Sequence, residues 1–138
     1  MAVEASISII PPLIMGVVIG LIELFFVHAD ENFRGSHWLG HGLHALIFAI
    51  IFTFIVFNID YVLSLIKLNL QYAGILVRLI VGIIAYIKIA GSAAGAGKAV
   101  REKVWHTAVI VLLIIFSNYI WMILEPACNA LLTSSFCQ

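Results

Sequence analysis

At 138 residues the chain is long enough for one domain of ordinary size, yet 64% of it is hydrophobic and only 10% charged, against roughly 25% charged in a typical soluble domain. A soluble fold needs a surface that water will solvate, and this composition cannot supply one, so lipid is the expected solvent. The formal net charge is zero, and no basic run is long enough to serve nucleic acid, which excludes that class of partner.

A helix needs about 20 apolar residues to cross the hydrocarbon core of a bilayer, and four stretches reach that length. The start, Met1-Ala2-Val3-Glu4, lacks the cationic flank of a secretory signal, so the first apolar stretch is expected to stay as an anchor. It runs over about 5–27, with Pro11 and Pro12 opening the helix or kinking its first turns. A polar link from Asp30 to Gly35 follows, and Ser36 is a natural N-cap. The second stretch, 37–66, is longer than one crossing requires, which predicts tilt or an interfacial end. A tight turn around Lys67, Leu68 and Asn69 leads to the third, 70–90. Gly91 to Gly97 is a small-residue breaker, and Lys98, Arg101 and Lys103 make the next link cationic. The fourth stretch, 104–124, is expected to stop at Glu125-Pro126, since proline cannot continue a helix, leaving a polar tail over 126–138. The expected fold class is all-α: a single domain, 1–138, built as an integral membrane bundle of four transmembrane helices with antiparallel neighbours and short loops.

Short links force the helices to alternate in direction. The links after the first and third helices then share one side, which holds Arg34, Lys98, Arg101 and Lys103, with Lys88 near enough to snorkel toward it. The positive-inside rule puts that side in the cytoplasm and both termini outside. The two cysteines, Cys128 and Cys137, fall in the tail. They lack the spacing of a metal or redox motif, and an extracytoplasmic tail would allow a disulfide between them.

Ionisable residues inside a membrane span are costly, so each is a candidate functional group. Asp60 and Arg78 lie nine residues on either side of Asn69, which predicts a buried ion pair across the hairpin; Asn118 is expected at a similar depth. Counted from the other links, Glu23, His41, His44, Lys88 and His106 form one layer two to three turns in from the cationic side. Gly16, Gly20 and Glu23 share a face of the first helix, and Gly74, Arg78, Gly82 and Ala85 share one of the third; small-residue stripes of this kind mark close helix packing in lipid.

His37, His41 and His44 fall at i, i+4 and i+7, a spacing that can hold a divalent metal ion with Glu23 or nearby carboxylates, handle protons, or serve only local hydrogen bonds. A haem would need His41 or His44 with His106 on facing helices. No serine or cysteine stands in a nucleophile motif, and the glycine-rich link lacks the ending of a phosphate loop. The function classes that remain are an oligomeric proton or cation channel or transporter using the Glu23–histidine–Lys88 layer and the Asp60–Arg78 pair as stepping or gating charges, a non-catalytic accessory subunit of a larger membrane complex, and a metal- or haem-binding redox protein. The expected partners are the lipid bilayer and either further copies of this chain or that larger complex.

Overall fold

The computed structural model describes residues 6–29, 37–67, 71–94, 104–132 and 137, with the side chains of 37–39, 41 and 92–94 outside that description. The described residues form six helices and no strand: α1 (Ile10–Ala29), α2 (His37–Phe57), α3 (Ile59–Leu65), α4 (Ala73–Ala94), α5 (Val104–Ile115) and α6 (Ser117–Leu131). The links carrying Arg34, Lys98, Arg101 and Lys103, the Ser36 cap and the turn at Leu68-Asn69 lie outside the described residues.

Helix α1 begins one residue before Pro11-Pro12, where the missing N–H groups cost nothing because the first turn has no intrahelical acceptor for them. It packs antiparallel along α2 through its glycines. A Cβ on Gly16 would stand 2.6 Å from the Cα of Ile50, and one on Gly20 would stand 2.8 Å from the Cα of Leu46. Only glycine permits backbones to approach that closely, which is the small-residue packing the stripe predicts. Thr53, fully buried, sits opposite Gly16; its hydroxyl reaches the Pro12 carbonyl of α1 at 3.0 Å and the Ala49 carbonyl of its own helix at 2.7 Å. Helix α4 packs on α2 and α5, and α6 crosses α1 and α2. The core between them is aliphatic and aromatic, with Ile19, Phe52, Val56, Ile89, Ile110 and Ile114 near its centre.

Much of the outer face is apolar as well. Ile75, Leu79, Ile83 and Ile87 recur every fourth residue along α4 and all are exposed. A helix apolar on every side is a membrane span or the interior of a larger body. Two segments, Ile10–Ala29 and Ala73–Gly91, are long and apolar enough to cross a membrane; the α2–α3 and α5–α6 pairs qualify if each is taken as one bent span.

Those bends correct two expectations. The stretch 37–66 is not one helix: it breaks at Asn58, and α3 leaves at 70°. The Asn58 side chain donates to the Phe54 carbonyl at 2.8 Å, competing with its own backbone N–H, which is shared at 3.2 Å between the carbonyls of Phe54 and Ile55. Local side-chain bonding of this kind diverts the backbone from the helix ladder. The fourth stretch breaks at Phe116, where α6 turns through 67°, and it runs on through Pro126 to Leu131. Pro126 removes a single donor, the one Met122 would have received, and Met122 is exposed. Beyond it, Leu132 N–H donates to Cys128 O at 2.8 Å, and Cys128 is joined by a disulfide to Cys137, which is buried in the core.

Candidate functional site

Two polar positions stand out within the apolar body, one toward each end of the long helices. The first is built on α1 and α5. Glu23 continues the Gly16–Gly20 stripe by one turn and so points where those glycines point, into the interface; it is 0% exposed. Six residues separate it from Ala29, which places it about 9 Å from the end of α1. From α5, the third residue, His106, turns inward and is 5% exposed. Its ring stacks on Phe26, with centroids 4.9 Å apart and planes within 18°, while Trp105 meets it edge-on at 3.8 Å. Phe26 follows Glu23 by three residues, and such positions are neighbours on a helix surface. Phe26 thus lies one turn from Glu23 and against the His106 ring, with Trp105 completing an aromatic wall.

The other members of the expected layer separate from Glu23 and His106. Lys88 lies at the counted depth but is turned outward, next to buried Ile89. His44 is exposed, its ring 5.9 Å from that of Phe48. The side chains of His37 and His41 lie outside the described residues, so the place of His41 in the layer and the metal reading of His37, His41 and His44 lie there too. Among the described residues no three metal-ligating side chains come together.

The second position is the break between α5 and α6. Arg78 Nη1 donates to the Ile115 carbonyl at 3.1 Å and to Asn118 Oδ1 at 2.9 Å, and the Tyr119 ring lies 5.1 Å from its Cζ. The carbonyls of the last helical turn have no intrahelical partner, and a cation there also meets the negative end of the helix dipole. This replaces the expected buried ion pair: Arg78 pairs with Asn118 and a backbone carbonyl, whereas Asp60 is exposed on α3. The reason is the break at Asn58. Depth counting assumes that α2 continues straight, and the 70° bend carries Asp60 off that line. Beside Asn118, fully buried Ser117 has a hydroxyl with no hydrogen-bond partner among the described residues.

Sequence reasoning missed the aromatic wall and the Tyr119 contact. Both carried a signal: Phe26 is one turn from Glu23, Trp105 adjoins His106, and Tyr119 adjoins Asn118. Comparison with known protein families, with curated proteins and with solved structures finds no match.

Proposed function

We propose that the chain is an integral membrane protein that moves protons or cations, with Glu23 and His106 as the groups that hand on the charge within the bilayer. What supports this reading is the full enclosure of Glu23 on α1, with the buried His106 imidazole stacked on Phe26 one turn away. Ionisable side chains are expensive in hydrocarbon, and where they occur they mark ion paths and proton relays. Imidazole and carboxyl are also the side chains suited to proton exchange near neutral pH. Helices of this length enclose little volume, so conduction calls for an oligomer. In proteoliposomes loaded with a pH-sensitive dye, the wild-type protein is expected to dissipate an imposed proton gradient and Glu23→Gln to abolish that leak. Equal flux from both proteins would sink the proposal.

The exposed face of α4 favours a second reading, a non-catalytic subunit that packs Ile75, Leu79, Ile83 and Ile87 against a larger membrane complex. Wild-type protein without flux that co-migrates with such a complex in native electrophoresis would select it.

A further inference from the structure

Arg78 stands on the inward stripe of α4 with Gly74, Gly82 and Ala85, five residues from the start of the helix at Ala73, a rise of about 7.5 Å. A guanidinium carries five N–H donors in a fixed plane. Two belong to Nη1, and both are used, on Ile115 O and Asn118 Oδ1. The other three, on Nε and Nη2, form a second edge that donates to no described residue. Both acceptors on Nη1 are neutral, so the positive charge is solvated without being neutralised. The carboxylates on the described elements that meet α4 or Arg78 are few: α2 and α5 carry none, Asp60 of α3 is exposed, Glu125 of α6 lies two turns beyond Asn118, and neither forms an ion pair with Arg78. The residue itself is half-buried, held by Asn118 and Tyr119 yet open on one side.

We propose that the Nε–Nη2 edge of Arg78 binds the phosphate of an anionic phospholipid. The edge presents two parallel N–H donors, the geometry that matches two oxygens of one phosphate. Its height, about one and a half turns inside the end of α4, lies within side-chain reach of the headgroup layer. Tyr119 beside it is an aromatic of the type found at that level. Further along α4, away from its start, the exposed surface is aliphatic, with Leu79, Ile80, Ile83 and Ile87, as acyl chains below the phosphate require. A free phosphate ion would satisfy the same edge but would leave that surface unmatched. The proposal rests on the membrane reading and is independent of proton movement.

The test is native mass spectrometry of protein released from nanodiscs containing equal phosphatidylglycerol and digalactosyldiacylglycerol, a neutral lipid with no phosphate. Wild-type protein is expected to retain phosphatidylglycerol in preference to the galactolipid by about tenfold, the scale of a charge-assisted bidentate contact. Arg78→Lys keeps the charge and a donor for Ile115 but has no planar edge, and it is expected to lose most of that preference; Arg78→Gln is expected to lose all of it. If Arg78→Gln fails to fold, Arg78→Lys decides. Retention by Arg78→Lys equal to wild type overturns the proposal, and displacement of the lipid by millimolar inorganic phosphate overturns the lipid as the source. Alkaline carbonate extraction separates the two ways of failing. Wild-type protein released by carbonate sinks the membrane reading, whereas protein that stays in the membrane without retaining phosphatidylglycerol sinks only the lipid site.

Discussion

Asn58 and Ser8, 50 positions apart in the chain, pair as two peptide groups would: the Ser8 N–H donates to Asn58 Oδ1 at 2.7 Å, and Asn58 Nδ2 donates to the Ser8 carbonyl at 2.9 Å. The asparagine that breaks α2 thereby anchors the extended segment leading into α1. It is almost fully buried, so it stays in place only because its polar atoms are matched. Asn58→Asp keeps the acceptor for Ser8 N–H and sets an oxygen against the carbonyls of Ser8 and Phe54. A loss of about 1–3 kcal/mol is expected, the cost of buried polar groups left unmatched. Hydrogen exchange at residues 6–9 should rise in this variant, and unchanged protection there would show that the segment does not depend on Asn58.

Arg78 and Asn118 should couple energetically, and Arg78 and Asp60 should not. Double-mutant cycles using Arg78→Gln with Asn118→Ala, and with Asp60→Asn, would compare the two by thermal denaturation. A coupling of about 1–2 kcal/mol is expected for the first pair, since the bond is charge-assisted. A coupling near zero is expected for the second. The reverse ranking would restore the ion pair that chain spacing alone suggests.

The glycines of the body should differ sharply in their tolerance of a methyl group. Gly16→Ala pushes a Cβ against the backbone of Ile50, and Gly20→Ala pushes one against that of Leu46. Each is expected to cost about 1–3 kcal/mol as α1 is forced away from α2. Gly91 lies inside α4 with no described residue within 4 Å of an added Cβ, and alanine there should stabilise the helix by up to about 1 kcal/mol. Melting temperatures of the three variants provide the comparison, and a uniform response would remove the packing argument.

His106→Phe should separate the stacking role of the imidazole from its proton chemistry. Phenylalanine can keep the face-to-face contact with Phe26, so the fold is expected to survive. Proton flux is expected to fall with it as it does with Glu23→Gln. A folded His106→Phe protein that still carries full flux would remove the histidine from the pathway.

Replacing both Cys128 and Cys137 with serine opens a loop closed over a separation of nine residues. Loop-closure entropy puts the loss at about 2–3 kcal/mol. Denaturation with and without reductant should show this difference in the wild-type protein and none in the double variant.

Much of this arrangement was legible from spacing alone. The glycine stripe of α1 marked a close helix contact, and depth counting brought Arg78 and Asn118 to one level. What counting cannot supply is rotation about the helix axis. Lys88 has the depth of His106 but faces outward, because it sits one residue, about 100°, from buried Ile89. The breaks were illegible for a different reason. Neither Asn58 nor Phe116 forces a break by type, and the contacts that meet the two breaks, from Ser8 and from Arg78, come from partners distant in sequence. The residue that reads locally as a stop, Pro126, lies inside α6.

Both bends fall at the same end of the antiparallel helices, where α2 and α5 finish, and they turn α3 through 70° and α6 through 67°, α6 across α1 and α2. The backbone amides of the body therefore point along two directions rather than one. In oriented films, polarised infrared spectra should resolve a main helix population and a smaller one steeply inclined to it.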